Sequence, residues 1–186
     1  MTYSLAAFID GPALYHSSRT LGFDVDFKRL LSYIGEQGPL LRAYYYTTTS
    51  EDRDFQSLRP LLDWLDYNGF RVKTKPLKEY DDGEGRRRFR RNISVELAVD
   101  ALEIAPQIDQ LILFSGAGDY RRLIEAVQRQ GVHSTVISTV RTQPPMLADE
   151  LRRQADEFLE LDDLRDQIGR PPRPSHMLNE AGFAAE

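Results

Sequence analysis

Short apolar runs alternate with longer amphipathic segments along most of this chain. The runs that predict strands lie at residues 5–9, 40–47, 70–74, 111–114, 132–138 and 158–161. Apolar side chains recur every three or four positions, the spacing of a helix, at residues 12–18, 26–36, 55–67, 120–130 and 146–154. Strands that alternate with helices are typical of a parallel sheet with helices on both faces. We therefore expect an α/β protein, with a mainly parallel sheet of five or six strands in three α/β/α layers.

The last part of the chain departs from this alternation. Residues 162–168 predict a terminal turn or helix, and the prolines that follow Gly169 prevent a helix from continuing. We therefore predict one domain over residues 1–168 and a flexible, proline-rich extension over residues 169–186. The alternative is that residues 177–183 dock on a partner or a second subunit as a short helix.

Composition limits the class of protein. The chain has 186 residues, of which 41% are hydrophobic, as expected for a single globular domain. It contains no cysteine, so disulfides and thiolate metal sites are excluded and a reducing cytoplasm is predicted. No run approaches the length of a membrane span, and we predict no membrane partner.

Two of the predicted strands end in a turn that carries a carboxylate. Asp10 follows the first strand directly, and Asp119 follows the strand at residues 111–114 after the turn Ser115-Gly116-Ala117-Gly118. Parallel α/β sheets bind their ligands at the carboxyl ends of their strands, so this edge is the candidate site. Binding of a nucleotide cofactor at this glycine-rich turn is rejected. The third glycine of a dinucleotide fingerprint is missing, the turn follows a late strand, and no Lys-Ser/Thr pair of a P-loop follows it.

Three motifs, taken together, resemble those of a known family. They are Phe8-Ile9-Asp10-Gly11, Leu97-Ala98-Val99-Asp100 and Ser115-Gly116-Ala117-Gly118-Asp119-Tyr120. In this order and at these separations they resemble the NYN-domain family, in its LabA-like bacterial branch within the PIN-like nuclease superfamily. Residues 147–158 are similar to the closing helix and final strand of that branch, and the resemblance covers residues 3–164.

The resemblance implies a metal-dependent endoribonuclease that acts on single-stranded RNA. Asp10, Asp100 and Asp119 would hold Mg²⁺ or Mn²⁺, directly or through water. Such an ion neutralises charge on the phosphate and activates the attacking water, and oxygen ligands suit it.

The chain departs from the family pattern at three positions. Ala13 replaces the usual Asn, Ser94 replaces an Asp that usually precedes the second motif, and Ala117 replaces a metal-ligating Asp. A methyl group supplies neither a metal ligand nor a hydrogen bond to water. Mg²⁺ can nevertheless bind through one or two carboxylates and several waters. We therefore expect a weakened metal site and reduced cleavage.

Glu96 has two interpretations. It lies four residues before Asp100, so a helix that starts near Ser94 would place both carboxylates on one face. Glu96 would then be an auxiliary catalytic residue, as a ligand or a base. Alternatively, Glu96 is a first-turn acid favoured by the helix dipole, and Ser94 is the N-cap.

A cluster of arginines marks the candidate RNA-binding segment. The net charge of −5 does not indicate a general nucleic-acid binder. A charged excursion at residues 75–92, with a predicted hairpin turn at Asp82-Gly83, nevertheless contains Arg86, Arg87, Arg88, Phe89, Arg90 and Arg91. Arginines bind phosphates bidentately, and the phenylalanine could stack on an unpaired base. Arg121 is a further candidate for phosphate contact. The alternative is a solvated hairpin that balances the acids before it.

The strand at residues 40–47 offers further polar groups. Tyr44-Tyr45-Tyr46 predicts core packing, with base stacking as the alternative. Thr47 and Thr48 end this strand at the same edge as Asp10, where they could line the cleft or cap the next helix.

Two function classes follow from these residues and the resemblance. The first is a metal-dependent ribonuclease with reduced activity. The second is a non-catalytic module on the same fold that binds RNA or a protein and acts in regulation. A homodimer is compatible with either class.

Overall fold

The first apolar run forms the central strand pair with a run from the second half of the chain. The computed structural model describes residues 3–49, 53–81, 87–90 and 93–171. In β1 (Leu5–Asp10), Ala7 and Ile9 belong to one core cluster, whereas Ala6 and Phe8 belong to the other. A strand buried on both faces in this way requires the continuous apolar run seen in the sequence.

The other elements follow the predicted alternation closely. The strands are β2 (Leu40–Thr49), β3 (Phe70–Pro76), β4 (Lys78–Asp81), β5 (Arg87–Arg90), β6 (Gln110–Phe114), β7 (His133–Ser138) and β8 (Glu157–Glu160). The helices are α1 (Gly11–Thr20), α2 (Phe27–Glu36), α3 (Arg53–Tyr67), α4 (Ser94–Ile104), α5 (Arg121–Gln128), α6 (Asp149–Gln154) and α7 (Arg165–Ile168). None of the helices in the described ranges is long and apolar enough to span a bilayer.

Six strands form one parallel sheet in the order β3-β2-β1-β6-β7-β8. The chain winds outward from β1 in one direction and from β6 in the other. The carboxyl ends of β1 and β6 therefore flank the switch point, where sheets of this kind form a crevice. The prediction of a parallel sheet of five or six strands is confirmed.

Helices cover both faces of the sheet. One core cluster contains side chains of α1, α2, α3 and α7, including Leu30 and Leu65. The other contains side chains of α4, α5 and α6, including Leu97 and Ile124. The predicted three-layer arrangement is confirmed.

The charged excursion contains the predicted hairpin. Strands β4 and β5 pair antiparallel, with Lys78 opposite Arg90 and Asp81 opposite Arg87. They form a separate two-stranded sheet that leaves the main sheet just after β3. The predicted turn at Asp82-Gly83 lies outside the described residues.

Most boundaries differ from the predictions by one or two residues, and tertiary contacts account for two of the differences. Helix α6 begins at Asp149, not at residue 146, because the N–H groups of Met146 and Ala148 donate to the carbonyls of Thr139 and Gly116. The predicted extension does not leave the domain at residue 169. Gly169 forms a β-bridge with Val25, and the Arg170 N–H donates to the Asp24 carbonyl at 2.8 Å. Residues 172–186, including the alternative docking segment at 177–183, lie outside the described part of the chain.

We predict that Gly116→Ala destabilises the fold by about 1–3 kcal/mol. A Cβ atom at this position would overlap the Met146 carbonyl oxygen and lie 2.5 Å from Ser138 Oγ. The matched control is Gly35→Ala in α2, where nothing lies within 4 Å of an added Cβ. This control should be stabilised by up to about 1 kcal/mol. Urea unfolding measures both effects, and equal stabilities for the two variants would contradict the close packing of the Gly116 turn.

Candidate functional site

Asp10 joins three segments at the switch point of the sheet. It ends β1 and caps α1, where its Oδ1 accepts a hydrogen bond from the Ala13 N–H at 3.2 Å. Its Oδ2 accepts hydrogen bonds from Ser115 Oγ and from the Tyr120 hydroxyl, both at 3.2 Å. The carboxylate therefore ties the end of β1 to the turn that follows β6.

Burial changes the acid–base properties of this group. Loss of solvent around Asp10 raises its pKa, and the hydrogen bonds from Ala13, Tyr120 and Ser115 oppose that rise. Burial, and then the charge of Asp10, raise the pKa of Tyr120. Tyr120 therefore remains a protonated donor to the carboxylate at neutral pH.

Ser94 belongs to the same network. Its side chain hydrogen bonds to the Tyr120 hydroxyl, so Ser94, Tyr120 and Asp10 form a chain of contacts. The interpretation of Ser94 as an N-cap is wrong, because α4 begins at Ser94 and the N-cap position is Ile93. The family resemblance places an acid at this position, whereas the Ser94 hydroxyl of this chain is hydrogen-bonded to Tyr120.

Asp100 contacts the second and third strands of the sheet. Its Oδ2 accepts a hydrogen bond from the buried Tyr46 hydroxyl at 2.8 Å and lies 3.7 Å from Lys73 Nζ. Tyr46 is the register partner of Asp10 in the β1–β2 pair. Burial raises the pKa of Tyr46, and the hydrogen bond to Asp100 raises it further. Tyr46 therefore stays protonated at neutral pH and donates to Asp100, while its backbone lies opposite Asp10 in the sheet.

Glu96 lies one helical turn before Asp100 and also pairs with a lysine of β3. Its Oε1 is 2.6 Å from Lys75 Nζ, and this contact lowers the pKa of Glu96. Its Oε2 is buried and has no hydrogen-bond partner in the described structure. The sequence correctly places both carboxylates on one side of α4. These carboxylates face the ammonium groups of Lys73 and Lys75, which lie at alternate positions of β3.

Asp119 differs from the other acids. It lies in a 3₁₀ turn (Gly118–Tyr120), is exposed, and makes no hydrogen bond or ion pair with the residues that the structure describes. Its neighbour Ala117 packs against the core cluster of α4, α5 and α6.

These residues do not fit a resident divalent ion. No three acidic or histidine side chains of the described ranges come close enough together to hold a metal. Asp10, Asp100 and Asp119 do not form such a group within these ranges, and their joint role as metal ligands stays a prediction. Hydrogen bonds occupy both oxygens of Asp10, and Asp100 is bound by Tyr46 and Lys73. The orphaned oxygen of Glu96 alone does not make a ligand set.

The structure places the base of the arginine hairpin beside these acids. Arg87, Arg88, Phe89 and Arg90 form β5, whereas Arg86 and Arg91 lie outside the described residues. The chain enters the hairpin after β3 and leaves it into α4. The contact of Lys75 with Glu96 joins these two ends. Arg121 begins α5, where its guanidinium lies 4.0 Å from Glu125 and is 44% exposed.

Sequence reasoning missed five side chains at this edge. Ser115 and Tyr120 stood within the third motif, but their role as donors to Asp10 was not foreseen. Tyr46 was predicted to pack in the core; it is buried there but also binds Asp100. Lys73 and Lys75 could have been found from their spacing, because residues two positions apart in a strand lie on the same face of the sheet.

Comparisons with known proteins identify the family of this chain. Residues 4–162 match the family model of the NYN domain. The chain belongs to the NYN domain family. The low amplitude and bright protein LabA of Synechococcus elongatus is 36% identical to it over 179 residues, which are 94% of this chain and 92% of LabA. A protein of unknown function from Vibrio parahaemolyticus has the same fold, with a TM-score of 0.71 and 25% identity. The match covers 91% of the NYN chain and 97% of that structure.

We predict that Asp10→Asn raises the free energy of unfolding of this NYN domain at pH 7. The amide oxygen can still cap α1, and the NH2 group can donate to the hydroxyl oxygens of Ser115 and Tyr120 that now donate to Asp10. The amide places no charge in a poorly solvated position. Burial holds the folded pKa of Asp10 above its unfolded value, so the carboxyl costs stability only as pH rises through those values. The advantage of the variant in urea unfolding should grow from acid to neutral pH.

The matched control is Asp26→Asn, which exchanges the same groups at the cap of α2. It separates the effect of a capping amide from the effect of the charge at Asp10. A stability advantage of Asp10→Asn that is largest in acid would contradict the role given to burial.

Proposed function

We propose that this NYN domain binds single-stranded RNA along the carboxyl edge of its sheet, and that its metal-dependent cleavage is reduced. The observation that carries the proposal is the pairing of Asp100 with Lys73 and of Glu96 with Lys75. Glu96 and Asp100, the acids of α4 that face β3, are neutralised by ammonium groups of the protein itself. The part of the edge that Glu96 and Asp100 occupy can therefore receive a phosphate backbone without help from a cation.

Electrostatics favour this interpretation. RNA carries one negative charge per phosphate, and unpaired carboxylates at the edge would repel it. The side chains of Lys73 and Lys75 are 50% and 35% exposed, so solvent reaches both. An ammonium group has three donors and can contact a carboxylate and a phosphate oxygen together.

The hairpin supplies the second part of the proposed RNA surface. Its arginines suit bidentate contact with phosphate, and Phe89 suits stacking on an unpaired base. Because the Lys75–Glu96 contact fixes the base of the hairpin, RNA held by β5 would continue past Asp100. Arg121, which is only loosely paired with Glu125, would contact phosphate near the Asp119 turn.

Reduced cleavage follows from the side chains that stand where the family has ligands. Nucleases of this fold generally use a divalent ion, which both neutralises the phosphate and activates water. Here Ala13 and Ala117 contribute no oxygen from their side chains, and Ser94 is committed to Tyr120. Asp10 would serve as the anchor of the switch point more than as a free ligand.

We predict that Arg88→Ala combined with Arg90→Ala weakens binding of a labelled single-stranded RNA. Loss of two phosphate contacts should reduce the slope of log Kd against log salt by about 1.4. Fluorescence anisotropy at several salt concentrations measures this slope. The control is Arg152→Ala combined with Arg153→Ala on α6, which removes the same charge far along the sequence. Equal losses in both double variants would assign the effect to net charge and not to the hairpin.

We predict that Ala117→Asp raises Mn²⁺-dependent cleavage of the same RNA above the wild-type rate. The new carboxylate adds the oxygen that the turn lacks, and the matched control Ala117→Asn adds the same volume without the charge. Gel analysis of cleavage with Mn²⁺ or with a chelator provides the measurement. Rapid wild-type cleavage that needs both Mn²⁺ and Asp10 would instead show that the native site is fully competent.

A further inference from the structure

A cavity of about 660 Å³ opens on the opposite face of the sheet from the acids of α4. It lies among α1, the first residue of α2, α3 and the carboxyl end of β2, and its volume is that of a ligand site. Gly11, which follows Asp10, lines the cavity. Thr47 and Thr48 also line it, so these hydroxyls are on the cavity side of the edge. The cavity therefore adjoins the proposed RNA path.

A tyrosine side chain forms part of the cavity wall. Tyr45 lines the cavity and is only 4% exposed as a residue. Its hydroxyl lies against Gly11, where an added Cβ would come within 2.6 Å of the Tyr45 oxygen. Burial, and then the charge of Asp10, raise the pKa of Tyr45 to about 12, so it is protonated at neutral pH. The Tyr45 hydroxyl can therefore donate a hydrogen bond to a polar atom of a ligand in the cavity.

Another part of the wall carries a cation. Arg170 lines the cavity and, within the described structure, forms no ion pair. Asp24 also lines the cavity, but its carboxylate already pairs with Arg19 at 2.8 Å. The charge of Asp24 is therefore compensated, and the Arg170 guanidinium remains available to an anion.

The remaining wall is apolar and aromatic. Leu58, Leu61 and Leu77 line it, and Tyr15 on α1 contributes a ring that is 65% exposed. A planar ring could pack against these side chains. The cavity thus combines an apolar slot, the hydroxyl of Tyr45 and a separate guanidinium.

We infer that this cavity binds a nucleotide unit. The base packs against the leucines and Tyr15, a polar atom of the nucleotide hydrogen bonds to the Tyr45 hydroxyl, and the phosphate pairs with Arg170. A nucleotide within an RNA strand and a free mononucleotide share this chemistry. The first source rests on the proposed function, because a strand bound at the edge beside Asp10 would place one nucleotide here.

The test is a calorimetric titration of the full chain with 5′-AMP, with 5′-UMP and with a single-stranded RNA oligonucleotide. Tyr45→Phe removes only the hydroxyl and should weaken mononucleotide binding about two- to tenfold. Arg170→Gln should weaken it about tenfold or more, because it removes a charged partner of the phosphate. The controls are Tyr44→Phe, at the next position of β2, and Arg153→Gln on α6, which should bind as wild type does. Thermal unfolding of each variant verifies that it is folded.

The outcomes separate this inference from the proposed function. Weaker binding of both mononucleotides and RNA by Tyr45→Phe supports the cavity as part of the RNA site. Weaker binding of mononucleotides alone supports it as a site for a free nucleotide. Equal mononucleotide binding by all variants, or none by wild type, overturns the inference, and RNA binding in the same series leaves the proposed function standing. Absence of both mononucleotide and RNA binding overturns both.

Discussion

The carboxylate of Asp10 is the constraint on which this edge of the fold depends. It accepts donors from α1, from the turn after β6 and from the 3₁₀ turn that precedes α5. These three segments meet where the winding of the sheet reverses, and no regular backbone ladder joins them there. The charge of this partly desolvated acid costs stability, whereas the hydrogen bonds from the buried Tyr120 and Ser115 side chains hold the segments of the crevice together.

The two faces of the sheet carry different groups on either side of Asp10. On the side of α4, Tyr46 and the lysines of β3 bind the acids that the family resemblance assigned to a metal. On the side of α1 and α3, Tyr45 lines a cavity, and its hydroxyl lies next to Gly11. Adjacent tyrosines of one strand thus serve opposite faces, as the alternation of a strand requires. The edge between them is where a nucleic-acid strand could contact both.

The sequence predicts the fold well because burial alone determines most of it. Residues 5–9 and 111–114 are apolar throughout, and only a strand covered on both faces buries them completely. The site is harder to predict, because carboxylates at strand and helix ends have several possible partners. Asp100 was expected to face other acids, but its carboxylate lies 3.7 Å from Lys73 Nζ. The two residues are far apart in the sequence, so no local pattern predicts that they pair. The contact of Ser94 with Tyr120 and the docking of Gly169 on Val25 were missed for the same reason, since both depend on tertiary contacts.

The most direct test of the central claim is a Mn²⁺ titration of the wild-type chain, followed by electron paramagnetic resonance of the free ion. If protein donors and lysines satisfy the acids of the edge, free Mn²⁺ should track total Mn²⁺ at micromolar concentrations, and Asp10→Asn should give the same curve. One ion bound tightly per chain in wild type, and lost in Asp10→Asn, would contradict the claim and identify the edge as a working metal site.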